Sequence, residues 1–164
     1  TTRFSATPSA LRYLLGDYLQ LAPVDVPLCI DQQGKPYVTD HAIHFNLSHS
    51  DDTALFAFSY CTAVGVDIEK PRTLGDIPAL AKQVFDAETL HQLAKQHYTA
   101  EAFMRYWVRL EARQKYAGLG IFAPPVAHTA VDLYDATLAD NSHFCVAWCC
   151  MEQTPKLQFF TLDG

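Results

Sequence analysis

Two carboxylates set two residues apart on a predicted strand are the first point at which this sequence could do chemistry. In Gly65-Val66-Asp67-Ile68-Glu69, strand alternation puts Asp67 and Glu69 on one face and Val66 and Ile68 on the other. Carboxylates held side by side repel unless a cation sits between them. A hard divalent ion is the usual solution, commonly magnesium with a phosphate. Taken alone, the five residues read more simply as an edge strand with a solvated face. A second pattern is helical: Trp107, Glu111 and Lys115 stand at i, i+4 and i+8 and share one face. Glu111 and Lys115 form either a surface ion pair, worth about 0.3–0.5 kcal/mol, or a metal ligand beside a phosphate-binding cation. Trp107 reads most simply as a core residue.

A third pattern, Phe45-Asn46-Leu47-Ser48-His49-Ser50, ends a predicted strand in hydroxyls and an imidazole, a fair setting for an anion. Ser48 and His49 are strand neighbours and point apart. The chain also has no Gly-x-Ser-x-Gly elbow, so a serine hydrolase is a poor reading. Gly34-Lys35-Pro36 is a turn carrying a cation, and Arg12 lies on a predicted helix. Each of these also reads as ordinary solvated surface.

The elements that must position these residues follow from periodicity and caps. Ser9 is a plausible N-cap for a helix over 10–21 with Leu11, Leu14, Leu15, Tyr18 and Leu19 as its apolar stripe, stopped by Pro23. Strands are expected over 26–30, 43–48, 54–60 and 63–69. Asp76 and Asp86 cap helices over 77–85 and 87–96, and a longer helix runs over 101–116 to a stop near Gly118. Late strands are expected over 129–134, 144–151 and 156–162. The order implies an α+β fold with largely antiparallel pairing and a soft boundary near residues 61–63.

The 164 residues carry 49% hydrophobic and 18% charged side chains, a globular composition with room for a core. A net charge of −6 argues against a nucleic-acid partner. No apolar run approaches the roughly 20 residues of a membrane span. The first residues lack the basic-then-apolar order of a signal peptide, so no membrane partner and a cytoplasmic location are expected. The five cysteines, Cys29, Cys61, Cys145, Cys149 and Cys150, are odd in number and sit in apolar runs, which fits buried free thiols.

In chain order, Gly34-Lys35-Pro36, then Phe45 to Ser50, then Gly65-Val66-Asp67-Ile68-Glu69-Lys70, then Phe103…Trp107…Glu111-Ala112…Lys115…Gly118-x-Gly120 resembles the 4'-phosphopantetheinyl transferases of the Sfp type. The resemblance implies a pseudodimer of two similar α/β subdomains, here 1–62 and 63–164, with a coenzyme A cleft between them. It implies a monomer that moves the phosphopantetheine of coenzyme A to a serine of an acyl or peptidyl carrier protein and releases 3',5'-ADP. Asp67, Glu69 and Glu111 match the family's magnesium ligands, with manganese as an alternative ion. Glu111 and Lys115 match the catalytic pair, Lys115 also contacting the pyrophosphate. Arg12 and His49 match groups near the 3'-phosphate, with Ser48 beside them, and Gly34, Lys35 and Pro36 match the stretch next to the adenine. The chain departs from the family at Leu110, where a lysine is usual, and the sequence given begins after the place of the family's first strand before Arg12. Those departures keep an inactive carrier-binding homologue in play, and another magnesium-dependent phosphate enzyme is a further alternative. The shorter, trimeric holo-carrier-protein synthase type lacks a half with the Ser48-His49 segment and fits less well. Three arginines at four-residue spacing, Arg105, Arg109 and Arg113, give the long helix a basic face that could meet an acidic carrier.

Overall fold

Helix α1, Ala6–Leu19, buries Leu11 and Leu15 against Val26, Val38, Ile43 and Phe45. A computed structural model of the chain describes residues 6–32, 34–119, 131–149 and 158–160. The helix begins before the expected cap, because Pro8 is tolerated in a first turn that needs no donor there. It also ends before Pro23: Gln20 takes a left-handed φ of 57°, and the Leu21 N–H closes on the Gly16 carbonyl at 2.9 Å. Pro23 instead opens a 3-10 turn, Pro23–Asp25.

Two hairpins follow. β1, Leu28–Ile30, pairs antiparallel with β2, Pro36–Val38. β3, His44–Ser50, pairs antiparallel with β4, Thr53–Ser59, each end extending or shifting the expected strand by a residue or two. β5, Val64–Glu69, leads through α2, Ile77–Val84, and α3, Ala87–Lys95, to the long α4, Ala100–Ala117. The Asp76 and Asp86 side chains accept from the N–H groups of Ala79 and Thr89, the caps the sequence implied. Thr99 caps α4, and Gly118 ends it at φ 68°.

β6, Asp132–Thr137, and β7, His143–Trp148, complete a three-stranded antiparallel sheet in the order β5-β7-β6. The architecture is thus mixed α+β with small antiparallel sheets, as the sequence implied. Of the strand expected over 156–162, residues 158–160 are not in strand and the rest lies outside the described residues. β7 is central and buried along its whole length. Its Cys145 and Ala147 face α4 with Val108 and Ala112, while Phe144, Val146 and Trp148 pack with Val64, Val66 and Ile68 on the opposite face.

Cys29, Cys61, Cys145 and Cys149 are free thiols, and Cys150 lies outside the described residues. Cys61 is exposed in the bend between β4 and β5, unlike the burial its apolar surroundings implied. Among the described residues, no helix is long and apolar enough to cross a membrane.

Candidate active site

Gly65 decides how close α4 comes to β5. A Cβ at that position would lie 2.1 Å from the Ala112 carbonyl oxygen and 2.3 Å from the Tyr116 backbone nitrogen. Only a residue without a side chain lets the helix backbone press onto the strand there. Asp67 is on the same strand face two residues on, and so lies under the last turns of α4.

Lys115 comes down from α4 to meet it. Its Nζ donates to Asp67 Oδ1 at 2.7 Å and to Ser48 Oγ at 3.0 Å, and the Ser48 hydroxyl donates to the same Oδ1 at 2.8 Å. Asp67 Oδ1 therefore holds two donors. Asp67 Oδ2 is buried with no hydrogen-bond partner among the described residues. Burial pushes the Asp67 carboxyl above its ordinary value, and the Lys115 ammonium and Ser48 hydroxyl only partly offset this. Its cross-strand partner, Cys145, offers no relief: burial pushes that thiol to about 12, so it stays neutral.

Glu111 feels the same site. Burial raises its carboxyl first, then the negative charge of Asp67, then that of Glu69, with Lys115 opposing. Asp67, Glu69 and Lys115 thus all lie within electrostatic reach of Glu111. Glu69 receives the Ser50 hydroxyl on Oε2 at 3.2 Å and the Arg72 guanidinium on Oε1 at 3.4 Å.

The N-terminal turn reaches the same end of α4. Asp31 closes it by accepting from the Lys35 N–H at 2.8 Å, with Gly34 at φ 85°. Lys35 Nζ donates to the Lys115 carbonyl at 3.2 Å. Partial burial lowers the Lys35 pKa, opposed by Asp31. Gly34, Lys35 and Pro36 therefore sit beside the Lys115 end of the helix.

Other expected residues make contacts of their own. Arg12 spends Nη1 on the carbonyls of Pro23, at 3.2 Å, and Val26, at 3.0 Å, tying α1 to the chain that follows it. His49 is exposed on the opposite face of β3 from buried Ser48, the divergence that alternation implied. Gly120 lies outside the described residues. Two of the three arginines are paired: Arg105 with Glu101 at 3.1 Å, and Arg109 through two nitrogens with Asp135 Oδ1 at 2.9 and 2.7 Å, while Arg113 is half-buried. The cavity of about 670 Å³ beside Val64, Ile68, Phe144 and Trp148 is on the far side of the sheet from Asp67.

Asp67, Glu69 and Glu111 suit a hard divalent cation in donor type, all being carboxylate oxygen, and in charge. The unpartnered Asp67 Oδ2 is an acceptor such an ion could use. Among the described residues, no group of three His, Cys, Asp or Glu is drawn together into a ready metal-holding cluster. The ammonium of Lys115 is the cation that meets Asp67 here.

The sequence gives no role to Asn46 or Gly65, and makes Ser50 only part of an anion setting rather than a partner of Glu69. For Asn46 and Ser50 the available signal was their period of two with Ser48 along β3. For Gly65 it was a glycine on the same face as Asp67.

Comparison with known proteins agrees in kind. Residues 63–160 match the profile of the 4'-phosphopantetheinyl transferase superfamily. The 4'-phosphopantetheinyl transferase HetI of Nostoc sp. (strain PCC 7120) is 37% identical over 126 residues, 73% of this chain and 53% of that protein. The 4'-phosphopantetheinyl transferase gsp of Aneurinibacillus migulanus is 36% identical over 96 residues, 57% of this chain and 39% of that protein. The chain thus spans about half the length of HetI, and less of gsp.

Proposed function

The chain belongs to the 4'-phosphopantetheinyl transferase superfamily, and from that premise we propose that it moves the 4'-phosphopantetheine of coenzyme A onto a serine of an apo acyl or peptidyl carrier protein. The observation that carries this reading is the meeting of Lys115, Asp67 and Ser48, drawn from α4, β5 and β3, beside Glu111. An ammonium, an unpartnered carboxylate oxygen and a second raised carboxylate suit attack on the pyrophosphate linkage of coenzyme A.

In the proposed reaction the carrier serine oxygen attacks the β-phosphorus of coenzyme A. A new O–P bond forms, the P–O bond to the α-phosphate breaks, and 3',5'-ADP leaves. Glu111, or a water it orients, accepts the serine proton. Burial, with the negative charge of Asp67 beside it, raises the Glu111 carboxyl, so it holds a proton more readily than an ordinary glutamate. Lys115 leaves Asp67 for the pyrophosphate and offsets the charge that builds on the leaving group. Asp67, Glu69 and Glu111 would hold magnesium, or manganese, which when bound supplies Lewis-acid neutralisation of the pyrophosphate. Positioning and electrostatics carry the rest.

We place coenzyme A between an N-terminal half, residues 1–62, and a C-terminal half, residues 63–164. Lys35 reaching Lys115, and Ser48 reaching Asp67, support that placement because each contact joins the two halves. In this reading His49 and Arg12 read the 3'-phosphate, and the protein works as a cytoplasmic monomer.

The deciding assay mixes the protein with coenzyme A, magnesium and an apo carrier protein, and weighs the carrier. A mass gain of one phosphopantetheine group is expected. An unchanged carrier that still binds the protein would identify an inactive carrier-binding homologue instead.

A further inference from the structure

β3 and β5 run side by side in the same direction, and side chains of β3 reach across to β5. The contacts advance together: Asn46 to Val66, Ser48 to Asp67, Ser50 to Glu69. Asn46 Oδ1 accepts from the Val66 N–H at 3.0 Å, with both residues buried. The Ser48 hydroxyl accepts from Lys115 and donates to Asp67. The Ser50 hydroxyl accepts from the Lys70 N–H at 3.0 Å and donates to Glu69 Oε2 at 3.2 Å.

Each serine is therefore polarised in one sense. A donor enters its oxygen from one side, so its own proton is aimed at a carboxylate. The two carboxylates so addressed are the strand pair of the site. A hydroxyl that fixes one carboxylate oxygen helps set the rotamer, which is the work of groups standing behind metal ligands. On Glu69 the other oxygen, Oε1, meets the exposed Arg72 guanidinium at 3.4 Å.

We propose that Ser50 is a positioning residue for Glu69: its hydroxyl, locked by the Lys70 N–H, orients Glu69 for a divalent cation, while Asn46 sets the strand spacing that brings the hydroxyl within reach. Ser50 does not touch substrate in this assignment. It acts through Glu69, as Ser48 acts through Asp67. The inference rests on the proposed magnesium site and extends it to a residue with no role in transfer itself. Ser50 is half-buried at the end of its strand.

The test compares Ser50→Thr with Ser50→Val. Both are β-branched and suit a strand, and they differ only in a hydroxyl against a methyl. Mn2+ binding to the purified protein, without coenzyme A or carrier, is read by electron paramagnetic resonance, alongside the urea unfolding midpoint. Ser50→Thr is expected to bind Mn2+ like the parent. Ser50→Val should bind it about tenfold more weakly at a similar midpoint. Equal affinity in the two variants would overturn the role of Ser50 whether or not both differ from the parent. If Ser50→Val does not fold, Ser50→Ala takes its place in the same comparison. A parent protein that binds no Mn2+ would instead overturn the metal site itself, so the two failures are told apart.

Discussion

Lys115 Nζ lies 2.7 Å from Asp67 Oδ1, joining residues 48 apart in the chain. This contact sets the helix end against the strand that carries the carboxylates. Asp67→Ala is expected to lower transfer by about 10²–10³-fold. The fold should be largely kept, because burial already disfavours this charge and the half-exposed Lys115 can turn to water. Transfer rate and urea midpoint on the same preparation check this. A variant that unfolds, or one that transfers at the parent rate, counts against the assignment.

The raised carboxyls give stability a definite slope with pH. Asp67 and Glu111 both hold protons more tightly folded than unfolded. Between the ordinary carboxylate range, about pH 4, and their folded values, the native state binds more protons, so stability falls as pH rises and then levels off. His143 is shifted down by burial and contributes the opposite slope below about pH 6.5. The carboxylate part is therefore read as the difference between the parent and Glu111→Gln across pH 4–8. The parent should lose more stability with rising pH than the variant, and excess Mg2+ should shrink that difference. A parent that gains more would reverse the sign and remove the argument.

Gly65→Ala tests the seating of α4. The new methyl would meet backbone atoms of Ala112 and Tyr116, neither of which can swing aside like a side-chain tip. Overpacking typically costs about 1–3 kcal/mol, and a clash with backbone falls at the upper end. Chemical denaturation should show that loss, with weaker metal binding in whatever stays folded. A variant as stable as the parent would mean that the helix can stand off from the strand.

Local signals made much of this legible. Asp76 and Asp86 announced α2 and α3, and Gly118 announced the end of α4, because caps act within one turn. Alternation put Asp67 and Glu69 on one face, and the helical repeat aligned Glu111 with Lys115. What the sequence hid is what crosses between elements. Nothing in the spacing says that Lys115 meets Asp67, or that the Ser48 hydroxyl is taken up between them. The basic face of α4 was visible, but Asp135 on β6, which neutralises Arg109, was not assignable as a partner across 26 residues. The start of α1 was misplaced because Ser9 looks like a cap, yet stands inside a turn that Pro8 accepts.

That pairing changes what Arg109 is expected to do. Removing it leaves a half-buried Asp135 without two charge-assisted donors. Arg109→Ala should cost about 1–2 kcal/mol of stability. Asp135→Asn should cost a similar amount, and the double variant less than the sum. The Michaelis constant for the carrier should stay near the parent value. A raised constant at unchanged stability would show instead that the arginine face meets the carrier.

Leu110 stands where the resembling family usually has a lysine, so Leu110→Lys asks whether an ammonium there can serve the site. Successive helix residues turn by roughly 100°, which sets Leu110 about 100° from Glu111 and about 140° from Lys115. It falls instead within about 20° of Phe103, a heptad earlier, on the side away from the Asp67 contact. The residue is half-buried, so a lysine can lay its stem along the apolar surface and keep its charge in water. The expected cost is about 1 kcal/mol, with coenzyme A affinity unchanged. Two measurements on one variant decide the matter: the urea midpoint and the dissociation constant for coenzyme A. Tighter binding at parent stability would mean that position 110 borders the phosphates after all. A collapse of the fold would mean that Leu110 is held in the core more firmly than its exposure implies.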